Sequence, residues 1–167
     1  MGKTIPAPAL RPFLPSDLAV VAAIFQDSIE ELTEDDYSEA QRAAWAERAD
    51  GQDFAARLTA ALTLVATIDG SVVGFASLKD NTHIDMLYVH PGFARQGVAT
   101  LLCDAVEKLA VGRGATALTV DASDTARPFF DGRGYRGESR NTVSVGEEWL
   151  GNTTMKKTFA ASDGSRA

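Results

Sequence analysis

Between His83 and Val111 the chain changes period abruptly, and this limits the folds open to it. His83 to Val89 is a short, mostly apolar run that reads as a strand, and Pro91 stops it. From Gly97 to Val111 the pattern is helical: Val98, Leu101, Leu102, Ala105, Val106 and Leu109 form one apolar stripe. Gly112 and Gly114 end that helix. A strand, a tight loop and an amphipathic helix in this order call for a sheet with a helix laid on it.

The flanking segments extend the same plan. Ala9 to Leu14 reads as a first strand, with Pro12 marking an edge position and Pro15 a stop. Ser16 or Asp17 can cap the following helix, whose apolar positions are Leu18, Val21, Ala22, Phe25, Ile29 and Leu32. Thr33 to Asp36 ends it, and Ser38–Arg48 and Asp53–Leu62 read as two more helices. Residues 64–68 and 72–78 are strands joined through Asp69-Gly70, a pair that tolerates the positive φ of a two-residue hairpin turn. Ala117–Ala122 is a strand, Thr125–Arg133 a short helix, and Tyr135–Val145 and Trp149–Phe159 are two last strands joined near Gly146. The expectation is one mixed α/β domain over 1–160 with a single central sheet, and a polar tail at 161–167 that frays.

Charge and composition narrow the function. The net charge is −7, which argues against general nucleic-acid binding. The acid is concentrated: Asp27 to Asp53 holds ten acidic residues against Arg42 and Arg48, whereas Pro91 to Arg140 holds six against seven basic ones. Such a lobe can attract a cation, although a solvated helix face explains most runs of this kind. Cys103 is the only cysteine and sits in a helix beside Leu101 and Leu102, so it reads as a buried, inert thiol; no metal site is expected. No run is long and apolar enough to span a bilayer, and the first residues do not read as a signal peptide, so a cytoplasmic protein without membrane partners is expected.

The chemistry lies at the loop between strand and helix. A helix start exposes backbone N–H groups that lack an intrahelical partner, and its dipole adds positive potential. That combination suits a pyrophosphate. Gly97 and Ala99 are small enough to let a ligand reach the backbone, and Arg95 and Gln96 add donors at the rim. The stretch is neither a P-loop nor a dinucleotide fingerprint, because the glycines of those patterns are missing.

Two segments carry a family resemblance. Val89, Pro91, Gly97 and Ala99 resemble the acetyl-CoA signature of the GNAT superfamily of N-acetyltransferases, which reads roughly Val-x-Pro-x-x-Arg/Gln-x-x-Gly-x-Gly/Ala. Ala94 occupies the Arg/Gln position, with Arg95 one place on. Downstream, Thr119-Val120-Asp121-Ala122-Ser123 with Ala126-Arg127-Pro128-Phe129-Phe130 and Gly134-Tyr135 looks like the strand and helix beside the pantetheine arm, in the manner of a bacterial branch of the superfamily.

The resemblance implies a GNAT-like fold: a mostly antiparallel sheet of about seven strands flanked by helices, with the fourth and fifth strands splayed around acetyl-CoA. It implies that Leu87, Tyr88 and Val89 line the pantetheine, with the Leu87 and Val89 backbone hydrogen-bonding it. Loop amides from Ala94 through Arg95, Gln96, Gly97, Val98 and Ala99 to Thr100 hold the pyrophosphate, and Ser123, Phe129 and Phe130 border the cofactor arm. Family members transfer acetyl directly to an amine and often carry a base on the fourth strand. His83 and Asp85 are the candidates; they share a face with Leu87 and Val89 if no bulge intervenes. His90 reads as a loop residue. Tyr37 and Trp45 fall where the acceptor pocket is usually lined, though aromatics at that spacing also build cores. Many members place a leaving-group tyrosine four residues before the glycine that ends the second segment; here that position is Phe130. The implied acceptor is a small-molecule or peptide amine, with a homodimer as a possible assembly. Competing readings are an acyl-CoA-binding regulatory module without turnover and an O-acetyltransferase. Amine-dependent CoA release separates the enzyme from the module.

Overall fold

The computed structural model describes residues 7–160, so the tail expected to fray at 161–167 lies outside the described residues. Among the described residues seven strands form one sheet in the order β1-β2-β3-β4-β5-β7-β6. They are β1 (Ala9–Pro12), β2 (Leu62–Ile68), β3 (Ser71–Lys79), β4 (His83–Val89), β5 (Ala117–Ser123), β6 (Arg136–Val145) and β7 (Glu148–Thr158). All neighbours run antiparallel except β4 and β5, which are parallel, so the sheet is mixed. β1 takes the edge that Pro12 demanded, since an edge strand need not donate on both sides. The β2–β3 turn is Asp69-Gly70, with φ of 52° and 80°.

Among the described residues five α-helices cover the two faces: α1 (Leu18–Leu32), α2 (Glu39–Ala46), α3 (Gln52–Ala60), α4 (Val98–Gly112) and α5 (Arg127–Gly132). One face packs α4 against Val73, Ala76, Leu78, Leu118 and Val120 through Val98, Leu102, Val106 and Ala110. The other packs Val21, Ile24, Phe25 and Ile29 of α1 and Phe54 and Leu58 of α3 against Val65, Phe75 and Met86. The stripe read on 98–109 thus serves one core, but Leu109 ends up on the solvent edge, 37% exposed.

Local chemistry corrects some boundaries. Pro15–Asp17 forms a 3-10 turn before α1, and no side chain caps α1. Asp17 is not the cap expected of it: its carboxylate accepts from Leu14 N at 2.8 Å and pairs with Arg11. Ser38 does cap α2, accepting from Gln41 N at 3.1 Å. α2 stops at Ala46, and residues 47–50 continue as 3-10 turn. The third helix stops at Ala60 because Leu62 already pairs with Leu78 in the sheet.

Candidate active site

β4 and β5 are hydrogen-bonded only at His83–Thr119 and Ile84–Val120. Beyond that point β5 turns to β7, with which it pairs along its full length, and β4 stays with β3. The separation leaves a wedge between the C-terminal halves of β4 and β5, so the expected splay is present. A cleft of about 420 Å³ opens there, walled by Leu87, Tyr88 and Val89 on one side and Ser123, Phe129 and Phe130 on the other.

The α4 N-terminus closes one end of that cleft. Arg95 and Gly97 both adopt left-handed φ, 62° and 85°, which folds the loop back on itself. Leu101 N makes the first helical bond, to Gly97 O at 3.0 Å, so the N–H groups of Val98, Ala99 and Thr100 precede the ladder. A Cβ at Gly97 would meet no atom within 4 Å, so the space before these donors is open. Ala94, Arg95, Gly97, Ala99 and Thr100 line the cleft. Gln96 points elsewhere, its amide donating to Gly92 O at 3.3 Å, and Val98 is buried under the sheet. The donors and the open approach fit a pyrophosphate, and the apolar walls fit a pantetheine arm. His90 is a loop residue as expected, its Nδ1 accepting from Gly92 N at 2.9 Å.

A second cavity, of about 360 Å³, lies on the α1–α3 face. It shares Leu87, Tyr88, Ser123, Ala126 and Phe130 with the cleft, so the two spaces meet through the wedge. Tyr37, Trp45, Val145 and Leu150 form its apolar wall. Tyr37 and Trp45 serve as both core and pocket wall. Tyr37 is buried, and its ring meets Trp45 edge-on at 5.5 Å. Its hydroxyl donates to Gly151 O at 2.7 Å and accepts from Asp124 N at 2.8 Å. Burial pushes its phenol up, and pushes that of Tyr88 up to about 12.

The expected alignment of His83, Asp85, Leu87 and Val89 on one face does not hold. Ser77 pairs with Met86 but Leu78 pairs with Ile84, so Asp85 is an extra residue, a bulge in β4. The bulge reverses the alternation: Ile84, Leu87 and Val89 pack toward α4, while Met86 and Tyr88 pack toward α1 and α3. His83 and Asp85 therefore face the second cavity. Asp85 Oδ2 is held by Arg57 of α3, with Nε and Nη2 both at 3.2 Å. His83 Nδ1 lies 2.7 Å from Thr119 Oγ1, and its Nε2 lies 3.8 Å from Asp121 Oδ2. Thr119, Asp121, Arg57 and Arg48 escaped the sequence reading. The signal for two of them was present: Leu118, Val120 and Ala122 alternate with Thr119, Asp121 and Ser123, giving β5 one polar face.

Phe130 is buried at the junction of cleft and cavity, edge-on to Phe129 at 5.2 Å and to Tyr135 at 5.1 Å. Tyr135 lies behind it, its hydroxyl donating to Glu107 Oε2 at 2.9 Å. It lines neither space, as its place at the start of the last hairpin suggested. Cys103 is buried, and burial raises its thiol to about 12, which keeps it protonated and inert. Among the described residues no group of three or more His, Cys, Asp or Glu is placed to hold a metal ion, and no helix is long and apolar enough to cross a membrane.

Comparison with known proteins agrees with this geometry. Residues 33–159 match the acetyltransferase (GNAT) domain, so the chain belongs to the GNAT family of acetyltransferases. It is 33% identical over 147 residues to the uncharacterized N-acetyltransferase YafP of Escherichia coli K12, a match covering 88% of this chain and 93% of YafP. A crystal structure from Rhodopseudomonas palustris, described as a GCN5-related N-acetyltransferase, "Aminotransferase, Class-II", superposes with a TM-score of 0.90 at 59% identity, over 95% of this chain and all of that one. The PaiA N-acetyltransferase of Thermoplasma acidophilum, solved in complex with coenzyme A, shares the fold at a TM-score of 0.77 and 18% identity, covering 92% of this chain and 99% of its own.

Proposed function

We propose that this acetyltransferase passes acetyl from acetyl-CoA directly to an amine bound in the cavity on the α1–α3 face. The observation that carries the reading is the wedge between β4 and β5. It joins a cleft ending at the exposed N–H groups of the α4 start to a second chamber lined by His83 and Asp85. The thioester would lie at Leu87 and Ser123, reached from the chamber side by the acceptor nitrogen. Positioning of the two reactants supplies much of the rate, and backbone donors at the splayed edge of β4 can receive the developing oxyanion.

His83 is the favoured base. His83 lines the chamber with its Nε2 3.8 Å from Asp121 Oδ2, whereas the Asp85 carboxylate is already engaged by Arg57. Asp85 then serves to hold Arg57 and the bulge. The acceptor is a small-molecule or peptide amine, and the cytoplasm, where acetyl-CoA is available, is its place of action. An acceptor screen following CoA thiol release tests the reading: release that depends on an added amine supports it. Tight acetyl-CoA binding without release across alkyl- and arylamines would favour a regulatory module, and release with alcohols alone an O-acetyltransferase.

A further inference from the structure

The second chamber carries a guanidinium that acetyl transfer does not use. Arg48 lies in the 3-10 turn after α2; it is exposed, yet it lines the chamber together with Trp45 and Tyr88. Among the described residues it forms no ion pair. Its one hydrogen bond there runs from Nη2 to Ser144 O at 3.4 Å, longer than an ordinary N–H···O contact. The other charged groups of the chamber are engaged with one another or with β7. Arg57 holds Asp85, and Asp121 accepts from Thr154 Oγ1 at 2.7 Å and lies 3.8 Å from His83 Nε2.

This isolation is unexpected where Arg48 stands. Glu47 and Asp50 are close in sequence, yet neither pairs with it, and Asp50 accepts from Gln26 Nε2 at 3.0 Å instead. Arg42, the other cation of the acidic stretch Asp27 to Asp53, donates to Tyr37 O at 2.7 Å and lines neither cavity. Burial raises the Tyr88 phenol, while the Trp45 indole, Arg57 and Arg48 oppose that rise, so the field of Arg48 reaches a second chamber group. One side of the chamber thus holds a positive charge with no counterion among the described residues.

We propose that Arg48 is a subsite for a carboxylate carried by the acceptor, which makes the acceptor an amino acid with an apolar side chain. The planar guanidinium offers two parallel N–H groups to a carboxylate, and its single unmatched charge suits a singly charged anion. The apolar wall of Tyr37, Trp45, Val145 and Leu150 receives the side chain, in a space of about 360 Å³. A zwitterion has no net charge, so the acidic stretch does not repel it, whereas a simple alkylammonium gains nothing from Arg48. Arg48 sets selectivity and takes no part in making or breaking bonds. The subsite rests on the transferase reading for the identity of its occupant as an acceptor.

The test uses L-phenylalanine and phenethylamine, which differ by the carboxylate alone, with CoA release followed in wild type, Arg48→Gln and Arg48→Lys. The readout is the ratio of kcat/KM for the two, because comparing that ratio between variants cancels their difference in basicity. Wild type should favour phenylalanine by about tenfold or more, and Arg48→Gln should lower the ratio by about 10–100-fold, the scale of a lost charged hydrogen-bond partner. Arg48→Lys, which keeps the charge but not the fork, should fall between them. A ratio unchanged in Arg48→Gln, or a wild type that favours phenethylamine, overturns the proposal. A wild type that acetylates neither compound contradicts the transferase reading instead, and binding then decides the subsite. In a Trp149→Phe background Trp45 is the sole tryptophan, and its emission reports on the chamber. Phenylacetate that binds about tenfold or more tightly than 2-phenylethanol, with the advantage lost in Arg48→Gln, retains the subsite. Equal binding, no response to phenylacetate, or an advantage that survives in Arg48→Gln overturns it.

Discussion

By the family resemblance, Phe130 stands where many members carry a tyrosine for the departing sulfur, and a phenyl ring has no proton to give. The other phenols do not replace it on ordinary terms. Tyr135 is committed to Glu107, Tyr37 donates to Gly151 O, and burial raises all three tyrosines above the usual phenol value. A raised phenol stays protonated as the solution passes roughly pH 10, so no rate loss should appear at that ordinary value. We therefore predict a flat alkaline side in the kcat profile up to about pH 10, and a Phe130→Tyr rate within about tenfold of wild type, since no partner is set to orient the new hydroxyl. A clear limb at roughly pH 9–10 that disappears in Tyr88→Phe would show that Tyr88 acts as the acid with a lower pKa than its burial implies. Phe130 itself was legible from its spacing to Gly134. Asp121 was legible as part of the polar face of β5, but its place beside His83 was not, because only the fold brings the two together.

α4 begins with a glycine for a geometric reason: Gly97 sits at φ 85°, where side chains other than glycine and asparagine are strained, and the space before it is open. Two substitutions separate backbone from charge. Gly97→Asn tolerates the left-handed conformation and should weaken acetyl-CoA binding only modestly. Gly97→Asp adds a negative charge in the open space proposed for the pyrophosphate and should weaken binding by a further factor of about ten or more, an effect that fades with added salt. Isothermal titration of both variants at two ionic strengths checks this; equal affinities would move the phosphate site elsewhere. The strands and helices around this element were readable from period and punctuation, because Pro91, Gly97 and the stripe on 98–109 are local signals. The bulge at Asp85 was not readable. It arises from the register between β3 and β4, and a single extra residue moved both base candidates to the opposite face of the sheet.

The fold is held where α4, α5 and the last hairpin meet by a buried carboxylate. Glu107 accepts from Tyr135, from Lys157 Nζ at 2.9 Å and from Arg133 Nη2 at 3.1 Å. Burial opposes its charge, yet Lys157, Tyr135 and Arg133 together hold it below the usual glutamate value. A folded-state pKa below the unfolded one gives stability that is fully present above the unfolded value of about 4.3 and is lost as pH falls through the folded value. Thermal melts should therefore weaken below about pH 4 less steeply in Glu107→Gln than in wild type, and at neutral pH that variant should be destabilised by about 3 kcal/mol because Lys157 and Arg133 lose their buried partner. Element order and family could be read before any coordinates; Arg133 and Lys157 converging on Glu107 could not, since they lie 26 and 50 residues away along the chain. In the proposed reaction acetyl-CoA lies in the wedge and the amine on the His83 side of it. Its most direct test is CoA release by wild type and His83→Gln across a panel of primary amines, with acetyl-CoA affinity measured in parallel. The prediction is amine-dependent release that falls about 10²–10⁴-fold in kcat/KM in the variant while acetyl-CoA affinity is kept; unchanged turnover in His83→Gln, or acetyl-CoA binding with no amine-dependent release in wild type, would contradict it.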